Sequence, residues 1–223
     1  MEGKILIANH STRDELLATL HGLSSIDDPI VGAAPPETVA RSSKLWPGDQ
    51  WSAITLTAKT IANGRRLEEY VFTPADGGHP LPVVLMIDGD RGRLYSAHGL
   101  VADRKPMLPL DSSIKPSAEP GDFLDGYFEH LVDADIEASI AMFEPDGYIQ
   151  HSNGDRYQGQ ERLREDYANM FKANGGTIGV HFVNVMDDGK HRAFEVVMPS
   201  GRPGVAVYER GPSGKIAAIR ISL

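Results

Sequence analysis

The side chains able to do chemistry here are histidines, tyrosines and carboxylates, because the chain holds eight histidines and no cysteine. Without a thiol there is no cysteine nucleophile, no disulfide and no thiolate metal site. The histidines show neither HExxH nor His-x-His spacing, so a metal centre is not supported and no cofactor is expected. What remains is proton transfer. A histidine ionises near neutrality, and a well-placed one contributes about 10² to 10⁴-fold to a rate. His151 closes the strand-like run GYIQH, which makes it the leading general base. Asp155 follows in the turn Asn153-Gly154-Asp155, where it could orient the imidazole or simply form the turn. Tyr127 and Tyr167 stand on apolar stripes, and a buried tyrosine hydroxyl needs a hydrogen-bond partner. Phe123 shares the stripe of Tyr127, either as an apolar contact for a substrate or, with Met142 and Met170, as a plug filling the space. His181 and Glu195 lie on strand-like runs and would face a cavity in only one of two phases of alternation. Asp28, in IDDPIVG, is a further carboxylate candidate.

The elements that must position these groups are legible from periodicity. Phe123, Tyr127 and Leu131 recur every four residues, with Leu124, Phe128 and Val132 beside them, which is the stripe of a core-facing helix. Asp135 caps a second short helix carrying Ile136, Ile140 and Phe143. GYIQHSNGDRYQG reads as strand then turn, and a third helix follows with Leu163, Tyr167, Met170 and Phe171 on one face. Four strand-like runs come after it: Thr177 to Met186, His191 to Met198, Gly204 to Glu209 and Ile216 to Ser222. Helices followed by a hairpin-linked sheet predict an α+β fold in which antiparallel strands curl around the helices.

The first half echoes the second. From Trp51 to Leu100 the chain repeats the order of strand, Gly turn, strand, Pro/Gly turn, strand, Gly turn, strand found from Thr177 to Leu223, a repeat at about 120 residues. Upstream, SSIDDPIVG matches GYIQHSNGD and sets Asp28 against His151. Lys105 to Pro120 carries four prolines without periodicity and reads as a linker. The expected domains are therefore 1–104, a truncated copy without the long opening helix, and 121–223, a complete one. The fold expected is α+β, with tandem cystatin-like cones.

The local sequences GYFEHL, GYIQH and EDYANMF, in this order, resemble the nuclear transport factor 2-like superfamily, which includes ketosteroid isomerases and SnoaL-type polyketide cyclases. Measured against the isomerase pattern, the resemblance implies that Tyr127 donates to a substrate oxyanion, that His151 stands where the carboxylate base belongs, and that Tyr167 supports Tyr127. The isomerase's second oxyanion donor, a protonated aspartic acid, falls at Ala206 or Val207, so half of that oxyanion hole is missing. A histidine followed by Ser-Asn-Gly is closer to SnoaL-like proteins. Asp28 resembles the isomerase's own carboxylate segment, in the half expected to be the degenerate copy.

The formal charge of −9 is unevenly spread, with 12 basic against 14 acidic residues up to Lys115 and 10 against 17 beyond it. Such a field repels phosphate backbones and anionic lipid, so neither nucleic acid nor membrane is expected as a partner. The N-terminal segment has no basic-then-apolar signal pattern, and cytoplasmic residence is the expectation. The function expected is a cofactor-independent isomerase, cyclase or dehydratase acting on a small apolar molecule bearing a carbonyl, epoxide or hydroxyl. The alternative is a non-catalytic module that binds a ligand or a partner. The resemblance also implies pairing of such domains, within the chain as a fused pseudo-dimer or between chains as a homodimer.

Overall fold

The computed structural model describes residues 10–28, 32–34, 49–78, 80–96, 123–176, 178–198 and 203–222. The side chains of Asp28 and His181 and the proline-rich segment 105–120 lie outside what is described. The chain forms two compact units, one from its first 103 residues and one from the remainder, apart from a few residues near position 153 and the last strand's end.

The N-terminal unit opens with α1 (His10–His21), whose Leu16 and Leu20 are buried. Six strands follow: β1 (Ser25–Asp28), β2 (Gly32–Ala34), β3 (Trp51–Ala62), β4 (Arg65–Pro74), β5 (Leu81–Asp88) and β6 (Arg91–Ser96). They form one sheet in the order β2-β1-β6-β5-β4-β3, antiparallel except for the parallel pair β1 and β6. Asn63 and Gly64 make the two-residue turn between β3 and β4, both at positive φ (53° and 74°), which is the backbone that joins antiparallel strands without splaying their twist. Alternation along β4 and β5 sends Tyr70, Phe72, Val83 and Leu85 to one face, where they pack with Leu16, Leu20, Leu23, Ile26 and Trp51.

The C-terminal unit carries α2 (Tyr127–Val132), α3 (Ile136–Ala141), β7 (Phe143–Gln150), β8 (Arg156–Gln158), α4 (Gln160–Ala173), β9 (His181–Asp187), β10 (His191–Val197), β11 (Pro203–Arg210) and β12 (Ile216–Ser222). Its sheet runs β8-β7-β12-β11-β10-β9, with β7 and β12 parallel, so the two sheets have the same strand order. The apolar stripe predicts helix from Phe123, whereas α2 begins only at Tyr127. Gly126 sits in the left-handed region (φ 75°), a conformation that ends helical continuity, and residues 123–126 turn instead. Asp135 caps α3 as expected, its Oδ1 accepting from the Ala138 N–H at 3.0 Å. On α4, Leu163, Tyr167 and Phe171 are buried, three residues one helical turn apart that fix the helix against the sheet. Burying each such side chain is worth about 1.5–3 kcal/mol.

The two hairpins that carry Asp28 and His151 agree in register. Asp28 pairs with Gly32 across the β1–β2 turn, and the His151 N–H donates to the Asp155 carbonyl at 2.9 Å across the β7–β8 turn. In both hairpins the partners stand four positions apart, so the backbone places Asp28 and His151 at corresponding points of the two sheets.

Candidate active site

His151 follows the last residue of β7, where the strand runs beside β12 and the chain turns toward β8. Its Nε2 lies 2.9 Å from both carboxylate oxygens of Asp166 on α4. Asp166 is 3% exposed, so this pairing is made out of water, where an unpartnered carboxylate would be costly. The edge of the imidazole packs on the Tyr157 ring, with centroids 5.7 Å apart, which fixes the ring plane from the β8 side.

A second polar group stands on α2 and α4. The hydroxyls of Tyr127 and Tyr167 are 2.6 Å apart, and the Tyr208 ring from β11 packs edge-to-face on the Tyr127 ring, with centroids 5.6 Å apart. All three rings are buried, and burial first of all holds the three phenols well above the usual tyrosine range, so each keeps its proton at physiological pH. Two hydroxyls joined by one hydrogen bond hold one proton more than the link consumes. When Tyr167 donates to Tyr127, the spare proton is that of Tyr127.

Tyr127, His151 and Tyr208 all line one cavity of about 750 Å³ between the helices and the sheet. Phe128, Phe182, Phe194 and Tyr208 form edge-to-face pairs with centroids 5.0 to 5.8 Å apart, building an aromatic wall. Ile149, Val196, Ala206, Ile219 and Ile221 add aliphatic surface. Among the described lining residues the polar side chains are Tyr127, His151, Asn174 and Tyr208, and none is a lysine, arginine, aspartate or glutamate.

The structure brings together Tyr127, His151 and, behind them, Tyr167, and it distributes the other sequence candidates elsewhere. Asp155 is an exposed turn residue that holds the His151 N–H through its backbone carbonyl, and it is the buried Asp166 that meets the imidazole. Phe123 is buried, but under the Arg210 guanidinium at 4.3 Å and not among the cavity residues. Glu195 is buried and accepts from the Asn184 amide. Its neighbours Phe194 and Val196 line the cavity, so alternation turns Glu195 to the opposite face. His181 opens β9, and Asp28 closes β1 in the other unit, with both side chains outside the described residues.

Sequence reasoning missed Asp166 and Tyr208. Asp166 left a signal, since it falls three residues after Leu163 and four before Met170, a charged residue on an otherwise apolar helical stripe. Tyr208 left almost none. It stands two residues beyond Ala206 on β11, and both line the cavity.

Residues 124–219 match the family model of the SnoaL-like domain. That match lies within the C-terminal unit, whose described elements from α2 to β12 it spans almost entirely. Solved structures similar to this chain include a cystatin-fold protein from Novosphingobium aromaticivorans, 14% identical, with a TM-score of 0.39 over 46% of this chain and 97% of that one. A candidate polyketide cyclase from Sinorhizobium meliloti is 21% identical, with a TM-score of 0.39 over 45% and 94%. The epoxide hydrolase/cyclase-like enzyme SalBIII, which acts in pyran ring formation in the polyether salinomycin, is 22% identical, with a TM-score of 0.36 over 45% and 86%. No curated protein matches the chain. Among the described residues no helix is long and apolar enough to cross a membrane, and no group of three or more histidines and carboxylates is arranged to hold a metal ion.

Proposed function

We propose that the C-terminal unit is an acid–base catalyst of the isomerase, cyclase or dehydratase kind, acting through its own side chains on a small, uncharged, largely apolar carbonyl compound. The observation that carries this reading is the convergence of an imidazole and a tyrosine hydroxyl pair on one apolar cavity of about 750 Å³. The absence of charged side chains from the described lining favours a neutral substrate, because a buried ion without a partner is costly.

His151 removes a proton from the carbon beside the carbonyl. The C–H electron pair becomes a carbon–carbon π bond as the carbonyl π pair moves onto the oxygen, and the resulting oxyanion accepts a hydrogen bond from Tyr127 or Tyr208. Returning the proton to another atom isomerises the substrate. Expelling a β-hydroxyl with that proton dehydrates it, and attack of the enolate carbon on a second carbonyl closes a ring. One well-aimed donor to such an oxyanion is worth about 3 kcal/mol of barrier, and a general base about 10² to 10⁴-fold in rate.

The test uses 2-tetralone, a small apolar ketone, whose α-hydrogens are followed by proton NMR in D2O. The wild type exchanges them faster than buffer alone. His151→Ala lowers that rate by about 10² or more and Tyr127→Phe by about 10-fold or more. Exchange no faster than buffer, or unaffected by both substitutions, removes the proposal. Saturable binding without exchange leaves the cavity as a binding site, which is the alternative reading.

A further inference from the structure

We propose that Asp166 is a positioning residue that keeps the His151 proton on Nε2 and thereby makes Nδ1 the atom that exchanges protons with the substrate. This assignment rests on the acid–base reading given above.

Both oxygens of Asp166 lie at 2.9 Å from a single ring nitrogen, Nε2. A carboxylate can only accept, so the hydrogen bond exists when Nε2 carries the proton. In the neutral ring Nδ1 is then the nitrogen with a free lone pair. No described protein group hydrogen-bonds Nδ1, although the ring lines the cavity, so that lone pair is left for a substrate. The alternative tautomer would set the Nε2 lone pair against two carboxylate oxygens in a site from which water is largely excluded, with Asp166 3% exposed. Proton uptake at Nδ1 yields an imidazolium whose Nε2–H already points at the carboxylate, so the charge formed during reaction is met without rearrangement. When the proton leaves again the ring returns to the same tautomer, and the cycle balances.

The residue after Asp166 bears on the other arm of the site. Tyr167 is fully buried and its hydroxyl meets Tyr127 at 2.6 Å. Two consecutive residues of α4 therefore brace the base and the hydroxyl donor, and Leu163 and Phe171, a turn away on either side, lock that stretch into the core. Asp155, next to His151 across the hairpin turn, cannot take this role because its side chain is exposed.

The experiment reads the tautomer directly. The full chain is labelled with 15N-histidine, and the His151 ring is assigned by comparison with His151→Gln. Above the pH at which the ring is neutral, the expected spectrum of the wild type shows a protonated Nε2 and an unprotonated Nδ1. Asp166→Leu, which removes the acceptor while keeping an apolar fit, is expected to mix the two forms. It should also lower the 2-tetralone exchange kcat by about 10 to 100-fold with a KM changed less than about threefold. A proton on Nδ1 in the wild type overturns the assignment, and that measurement needs no variant to fold. An Asp166→Leu spectrum identical to the wild type also overturns it. The expected tautomer without any ketone exchange overturns the functional reading alone and leaves the role of Asp166 standing.

Discussion

The two sheets share one strand order and line their inner faces differently. In the N-terminal unit Glu68 stands on the face that also carries Tyr70 and Phe72, receives the Tyr70 hydroxyl at 2.6 Å, and is ion-paired with Lys59 at 2.9 Å and Arg66 at 3.1 Å. Around it Leu16, Leu20, Trp51, Phe72 and Leu85 pack as a core. In the C-terminal unit the corresponding face presents Phe194, Val196, Ala206 and Tyr208 to open space, with His151 and Tyr127 at its edge. Parallel register pairs Ile26 with Gly92 in one unit and Ile149 with Ile219 in the other. The room vacated at Gly92 is filled by Leu23, whose Cδ1 would lie 2.6 Å from an added Cβ. One strand order thus carries a packed cluster on the described inner face of one unit and the lining of a cavity in the other. The side chains placed on that face make the difference.

The largest expected difference between the units appears at alkaline pH. Burial raises Tyr127, Tyr167 and Tyr208 above their ordinary range in the C-terminal unit, and burial together with Glu68 does the same to Tyr70 in the N-terminal unit. The sign follows from proton linkage. Below pH about 10 these phenols are protonated in both states and their stabilising contribution is complete; above it the unfolded chain ionises while the folded one does not, and stability falls. The slope is about 1.4 kcal/mol per pH unit for each such group. Three groups make it about 4 kcal/mol per pH unit for the C-terminal unit, against about 1.4 for the other. Both tryptophans, Trp46 and Trp51, lie in the first half, so tryptophan emission follows the N-terminal unit and far-ultraviolet dichroism follows the whole chain. Urea midpoints stepped through this pH range check the ratio, and equal slopes would erase the distinction.

Core truncation sharpens the same contrast. Phe72, 2% exposed and edge-on to Trp51 at 5.2 Å, should cost about 3–5 kcal/mol as Phe72→Ala. Ile221→Ala, at a half-buried position already facing the C-terminal cavity, should cost under about 2 kcal/mol, because little new void forms. Urea unfolding compares the two, and a cavity-side loss as large as the core-side one would mean that the space is filled in solution. Gly92→Ala, whose new methyl meets the Leu23 side chain, should cost about 1–3 kcal/mol, below the Phe72 truncation. Truncating the obstructing side chain in Leu23→Ala/Gly92→Ala should recover part of that overpacking cost relative to the sum of the single changes.

Much of the C-terminal fold was legible because its elements are bounded by local chemistry. Asp135 signalled a helix start, Asn153-Gly154-Asp155 a turn, and the stripe of Leu163, Tyr167 and Phe171 a buried helix. The helix expected from Phe123 was shortened by Gly126, whose left-handed backbone leaves no periodic trace. Tyr127 and His151 emerged from the resemblance to a superfamily, and the structure sets both on one cavity. Proximity in sequence points to Asp155 as the orienting carboxylate, whereas Asp166 on the following helix meets the imidazole.

What the sequence determined by itself was the menu of chemistry and the order of elements. Eight histidines, no cysteine and two similar runs of hairpins bounded the answer before any contact was known. Only the tertiary structure decided that Asp166 meets Nε2, that the Tyr208 ring packs on Tyr127, and that Glu195 and Phe123 stay out of the cavity. The physical reason is one of range. Caps, turns and periodicity act over a few residues, whereas a hydrogen bond between α4 and the end of β7, or between α4 and α2, exists only once packing has brought distant segments to within 3 Å.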